Sequence, residues 1–286
     1  VTGEDEPFVL MALDDDGVLL VTLNHPERRN AWSGPMELAY YAALDRAVAD
    51  PDVRAVVVTG TGGTWCPGMD MELLSAASSG GPPIMGARRP QTFTRLVPKL
   101  VVAAVDGACA GIGFIQALMC DVRFTTPAAK WTPSFAKIGL NPEDGVAWAL
   151  ERAVGFSRAT DLLLSSRIVR GEEAARIGLA TDVVAHEDLL EHALAYARTV
   201  ALSCSPLSVA LAKKALLEAS TSSLEQSRLT AMQLLWQAKQ HPDHEEGVKA
   251  FREKRPASFA GLDPSFGLLS ELGPAQLPVL RGAPRP

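Results

Sequence analysis

The stretch that most constrains the fold is Val101-Val102-Ala103-Ala104-Val105-Asp106-Gly107-Ala108-Cys109-Ala110-Gly111-Ile112-Gly113-Phe114-Ile115. Five successive apolar residues predict a strand buried on both faces, because a strand with one wet face would alternate polar and apolar side chains. The run breaks at Asp106-Gly107, and Gly111-Ile112-Gly113 opens a predicted helix over 114–119. The glycines have two readings. One is close approach of a ligand to bare N–H groups at the positive end of a helix. The other is tight packing of strand on helix.

A second stretch has the same grammar. Val53-Arg54-Ala55-Val56-Val57-Val58-Thr59-Gly60 predicts another buried strand, and Thr61-Gly62-Gly63-Thr64-Trp65-Cys66-Pro67-Gly68-Met69-Asp70-Met71 carries it through glycines into a short helix. Two strand ends that each present free N–H groups supply the donor pair that an enolate or tetrahedral oxyanion requires. Upstream, 8–13 and 18–23 read as strands of a hairpin around Asp14-Asp15-Asp16-Gly17. An amphipathic helix over 36–49 ends at Asp50-Pro51. Residues 74–89 carry Gly, Ser and Pro without periodicity, as either a lid over a ligand or a loop excursion. A helix up to Lys99 leads into the central strand. Short strands follow at 122–125 and 129–132, a loop at 133–141, and a helix over 143–153. From 157 onward the pattern is helical, in segments 160–164, 172–177, 186–202, 206–218, 224–240 and 244–252. Strands alternating with helices predict an α/β fold with a parallel sheet.

Charge and cysteine usage exclude several classes of function. The balance of 27 basic and 33 acidic residues, −6 overall and without a long basic run, argues against nucleic-acid binding. Cys66, Cys109, Cys120 and Cys204 form no CxxC pair, which fits a reducing compartment. No apolar run reaches membrane-spanning length, and Val1-Thr2-Gly3-Glu4-Asp5-Glu6 is too acidic for a secretory signal. A soluble, cytoplasmic protein is expected. His241 and His244 lack a third ligand, so no metal site is expected. Cys109 is a small buried side chain or a thiol nucleophile, and Trp65 and Trp131 are core residues or walls of a pocket.

Several ordered motifs together resemble the crotonase superfamily, also called the enoyl-CoA hydratase/isomerase family. They are Leu23-Asn24-His25-Pro26-Glu27-Arg28-Arg29-Asn30-Ala31, the Cys66-Pro67-Gly68-Met69-Asp70 turn, Asp106-Gly107 through Gly113, Cys120-Asp121, Ile138-Gly139-Leu140, and Glu246-Gly247 through Phe259. The resemblance implies a spiral of ββα units over 1–200 that binds the acyl-CoA and a C-terminal helical oligomerisation region over 201–261. Residues 262–286, rich in Pro and Gly, lie beyond the family pattern as an extended or disordered tail. It also implies a homotrimer or hexamer and an acyl-CoA thioester substrate. No tightly bound cofactor is implied, coenzyme A entering as part of the substrate. The backbone N–H groups of Met69 and Ile112 become the oxyanion hole, flanked in the substrate site by Ala31, Cys66, Gly68, Asp70, Gly111 and Phe135. Arg28 and Arg29 are phosphate contacts or ordinary solvated arginines. Phe251 and Lys254 reach the CoA of an adjacent subunit, or are an aromatic packing residue and a surface lysine.

The match departs where hydration needs its acids. Hydrating an enoyl thioester takes one carboxylate to deprotonate water and another to protonate the alpha carbon. By resemblance those two positions are Ile115 and Phe135, neither of which transfers a proton. The nearest carboxylates are Glu143 and Asp144, either an acid/base pair for a proton shift or the acidic start of a capped helix. The sequence therefore leaves an enzyme that stabilises a thioester enolate or oxyanion, a CoA thioester hydrolase, and a non-catalytic acyl-CoA-binding protein.

Overall fold

A computed structural model describes residues 6–78 and 89–264. The chain enters as an antiparallel hairpin of β1 (Val9–Leu13) and β2 (Val18–Leu23), in register from Val9 opposite Leu23 to Leu13 opposite Leu19. The Asp14 carboxylate accepts the amides of Asp16 and Val18 at 3.1 and 2.8 Å, and Gly17 takes φ +83° in a turn suited to glycine.

From β2 onward one pattern repeats: a strand in a large sheet, an extended piece in a smaller one, then a helix. The first turn is β2, Trp32 and α1 (Gly34–Ala49); the second is β3 (Ala55–Gly60), 66–69, α2 (Met71–Ser78) and α3 (Phe93–Leu96). The third is β4 (Leu100–Val105), β5 (Ala108–Ala110) and α4 (Ile112–Met119). The fourth is β6 (Val122–Thr125), β7 (Lys130–Thr132), α5 (Val146–Val154) and α6 (Phe156–Ser165). Then come β8 (Val169–Arg170), α7 (Gly171–Arg176) and β9 (Asp182–Val183). The described part finishes with α8 (Leu189–Ser203), α9 (Pro206–Ala219), α10 (Leu224–Gln240) and α11 (Pro242–Glu253). The large sheet runs β1-β2-β3-β4-β6-β9, parallel from β2 on, and the small one runs β5-β7-β8. Isolated parallel bridges, Trp32 to Met69 and Cys66 to Cys109, extend the small sheet's pairing back to the first two turns.

Burial explains the apolar runs. In β4, Val101, Ala103 and Val105 face the core shared with α1, α4 and α5, while Leu100, Val102 and Ala104 face α8. In β3, Val56 and Val58 take the first side, Ala55 and Val57 the second. Both faces are covered, so polar alternation would cost stability; burying each Val is worth about 1.5–3 kcal/mol. α4 is buried all round, and its last carbonyls are held by side chains. Arg95 Nη2 donates to Leu118 O at 2.7 Å and Arg123 Nη1 to Cys120 O at 2.8 Å, placing cations at the negative end of the helix. A third cluster joins Leu207, Ala210 and Leu211 of α9, Leu234 of α10 and Leu262 of the segment after α11. Among the described residues no single helix is long and apolar enough to cross a membrane.

The α/β class, the hairpin, β3, β4 and the C-terminal run of helices match the expectations, and several boundaries do not. The aperiodic 74–89 segment begins as helix, because α2 extends to Ser78; the rest of it, 79–88, lies outside the described residues. The helix expected up to Lys99 is one turn, since Val97, the residue before Pro98, is extended and ends it at Leu96. The helix expected from Glu143 starts instead at Val146. Asp144 (φ +49°) and Gly145 (φ +71°) are left-handed, and the cap position carries no side-chain bond. The capping explanation for Asn141, Glu143 and Asp144 is thereby overturned. Residues 265–286 of the expected tail also lie outside the described residues.

Candidate functional site

The second and third turns of the spiral deliver two amides to one place. Cys66 and Cys109 are bridge partners, with Cys66 N donating to Ala108 O at 2.8 Å and Ala110 N to Cys66 O at 3.0 Å. Three residues beyond each partner stand Met69 and Ile112. A parallel pair followed by equal lengths of chain leaves the two positions side by side. Gly68 and Gly111 confirm the proximity: a Cβ placed on Gly111 would lie 3.7 Å from Gly68 Cα, and one on Gly68 would lie 3.3 Å from Ala110 O. Both glycines hold positive φ, +115° and +50°, where L side chains are strained. Gly113 lets α4 close on the first strand, since a Cβ there would meet Cys66 O at 2.3 Å.

Among the described residues neither the Met69 amide nor the Ile112 amide donates to a protein acceptor. Ile112 is the first residue of α4, so its N–H belongs to the orphan donors of a helix start, at the positive end of the dipole. Met69 lies just before α2, whose start is capped by Asp70: its Oδ1 accepts from Glu72 N at 2.9 Å. Pro67 removes only its own donor, two residues before Met69.

The remaining candidates lie in several parts of the fold. Ile115 (0 % exposed) and Phe135 (4 %) are packed into the core as hydrocarbon. Glu143 is exposed and Asp144 half-buried, in the turn before α5, where Val146 N donates to Glu143 O at 3.1 Å. That turn borders α3, for a Cβ on Gly145 would lie 3.7 Å from Thr92 Cγ2. Arg28 is exposed and bound to carboxylates, 2.8 Å from Glu72 and 3.9 Å from Asp70. Arg29, at φ +54°, is exposed beside it. Ala31 is buried next to Trp32. Phe251 (86 % exposed) borders a cleft of about 580 Å³ shared with Leu207, Asp243, Gly247 and Phe259. Lys254, left-handed at φ +54°, closes α11.

Other side chains resolve toward structure. Burial pushes the Cys66 and Cys120 thiols up to about 12 and that of Cys109 well above its usual value, so none is a ready nucleophile. Trp65 and Trp131 are core residues, their indole N–H groups on Gly113 O and Thr125 Oγ1. Among the described residues no cluster of His, Cys, Asp and Glu is placed to hold a metal ion.

Two features went unread in the sequence. Asn30, fully buried, accepts from His25 N (2.8 Å) and donates to Thr61 O (3.0 Å) and Thr64 O (2.7 Å), tying the 24–31 loop to the end of β3. A chain of buried polar side chains runs from Glu37 through Gln91 to Gln116. An Asx-type clamp is signalled by an Asn in a turn-rich loop. A Glu in a helix carries no such mark.

Comparison with known proteins agrees with the fold and with acyl-CoA chemistry. The family described as Enoyl-CoA hydratase/isomerase matches residues 14–262. Probable enoyl-CoA hydratase EchA14 of Mycobacterium tuberculosis is 40% identical over 223 residues, 75% of this chain and 82% of that one. The 1,2-epoxyphenylacetyl-CoA isomerase of Escherichia coli is 32% identical over 260 residues, 89% and 98% of the two chains. The crystal structure of an enoyl-CoA hydratase from Polaromonas sp. JS666 superposes with a TM-score of 0.81 at 30% identity, covering 88% of this chain and 99% of that one.

Proposed function

The chain belongs to the enoyl-CoA hydratase/isomerase family, and from that premise we propose that it is an enzyme whose Met69 and Ile112 amides stabilise the thioester oxyanion of a bound acyl-CoA. The observation that carries this is the pair of adjacent N–H groups, equally offset from one parallel bridge and without protein acceptors among the described residues. An enolate concentrates negative charge on the thioester oxygen, and preorganised donors lower its energy more than that of the ground state. Backbone donors serve whatever side chains surround them, so this function does not depend on the glutamates of a hydratase.

The reaction is an isomerisation or another proton shift through the enolate, not hydration. By resemblance the two hydratase positions are Ile115 and Phe135, and the burial of both as hydrocarbon supports this reading. Glu143 and Asp144 are the acid/base candidates, carried on a turn beside α3. Arg28 and Arg29 lie on the loop proposed to meet the CoA phosphates. Phe251 and Lys254 serve a neighbouring copy's CoA in a homotrimer or hexamer joined through the helices after residue 200. Cysteines without a CxxC pair support a cytoplasmic setting in this reading, with coenzyme A arriving as part of the substrate.

Incubation with enoyl-, dienoyl- and 3-hydroxyacyl-CoA in heavy water, followed by mass spectrometry, tests the reading. Alpha-carbon exchange or double-bond migration, with crotonyl-CoA left unhydrated, is the expected result. Saturable binding without conversion of any thioester would make the chain a binder. Release of free CoA would make it a hydrolase. Ile112→Pro removes one donor at the first helical position, where proline is tolerated, and is expected to lower turnover roughly 100- to 1,000-fold.

A further inference from the structure

We propose that Glu37 is a positioning residue that, through Trp32, sets the direction of the Met69 N–H; this rests on the oxyanion reading above. Glu37 lies in the first turn of α1, 8 % exposed, where the positive end of the helix favours a carboxylate. Its Oε2 accepts from Trp32 Nε1 at 2.8 Å and from Gln91 Nε2 at 3.1 Å. The indole is otherwise held by an edge-on contact with Tyr40, ring centroids 5.4 Å apart.

Trp32 reaches the site through its backbone. Its N–H donates to Gly68 O at 2.7 Å, and its carbonyl accepts from Asp70 N at 3.0 Å. Gly68 O and the Met69 N–H belong to one planar trans peptide and point in opposite directions. Fixing the oxygen therefore aims the hydrogen. Gly68, at φ +115°, does not by itself confine that peptide, because glycine adopts many conformations. The restraint comes from Trp32, and the indole end of Trp32 is tied to Glu37.

The same network touches the helix that carries the other donor. Gln91 Oε1 accepts from Tyr41 Oη at 3.0 Å and from Gln116 Nε2, and Gln116 Oε1 accepts from Thr94 Oγ1 at 3.0 Å. Gln116 is four residues beyond Ile112, one turn along α4. A carboxylate suits the hub, since it accepts two donors and presents none that needs a partner. Buried bonds of this kind are strong in low dielectric, and their loss leaves polar atoms unsatisfied.

Difference infrared spectroscopy of butyryl-CoA carrying a ¹³C thioester carbonyl reads the aim of the donors directly. The carbonyl band is expected to move to lower frequency on binding to the native protein. Glu37→Leu and Trp32→Phe are expected to lose most of that shift, and Glu37→Gln, which keeps an acceptor for the indole, to restore the greater part of it. Alpha-proton exchange is expected to fall on the order of tenfold in the first two variants, with KM changed less than about threefold; that is milder than losing a donor outright. No shift in the native protein would overturn the oxyanion reading itself. A native shift that both Glu37→Leu and Trp32→Phe retain would overturn the positioning role alone. Trp32→Phe keeps a buried ring and carries the test if Glu37→Leu does not fold.

Discussion

At the scale of single residues, the site is made by side chains that are missing. Gly68 and Gly111 allow backbone conformations that bring two amides together, and Gly113 allows a helix to touch a strand. Gly113→Ala is expected to cost about 1–3 kcal/mol, because its Cβ would stand 2.3 Å from Cys66 O and the backbone would have to part. Denaturant unfolding measures the loss; unchanged stability would mean that α4 and 66–69 are not pressed together. These glycines were legible in the sequence because a strand that stops at glycine has few structural uses. Glu37 was not, since an acid in an amphipathic helix reads as a solvent-facing residue. Glu143 and Asp144 read as a helix start, and the left-handed Asp144 is a choice that local pattern does not reveal.

Elements were legible in proportion to their length. The buried runs of β3 and β4 and the long helices α8, α9 and α10 carry enough residues to show a period. β5, β8, β9 and the two bridges have three residues or fewer and are defined only by their partners. Between elements, Lys99 joins β4 to the end of α1, its Nζ donating to Asp50 O at 2.6 Å. Burial lowers the Lys99 pKa to about 8, against the raising influence of Asp50 and Asp52. The unfolded chain then binds the extra proton between pH 8 and 10.5, so this residue's contribution to stability rises with pH across that window. Unfolding free energies of the native protein relative to Lys99→Met, measured from pH 7.5 to 10.5, are expected to climb accordingly; a flat or falling difference would contradict a depressed Lys99 (about that window).

For the whole molecule, family resemblance indicated the spiral before any single element could. Each turn must give one strand to each sheet, and only motifs spread over most of the chain report that repetition. The C-terminal helices leave apolar side chains uncovered: Leu229, Met232 and Trp236 along α10, with Trp236 65 % exposed. A second copy is proposed to cover this stripe, so sedimentation is expected to show trimers or hexamers that Trp236→Glu shifts toward monomer. A native protein that sediments as a monomer would contradict it. The central claim is the grip of two main-chain amides on a thioester oxygen. It is tested most directly by a crystal structure with a bound acyl-CoA. The carbonyl oxygen is predicted to lie about 2.7–3.2 Å from both Met69 N and Ile112 N; a thioester bound with its oxygen turned away from either amide would contradict the claim.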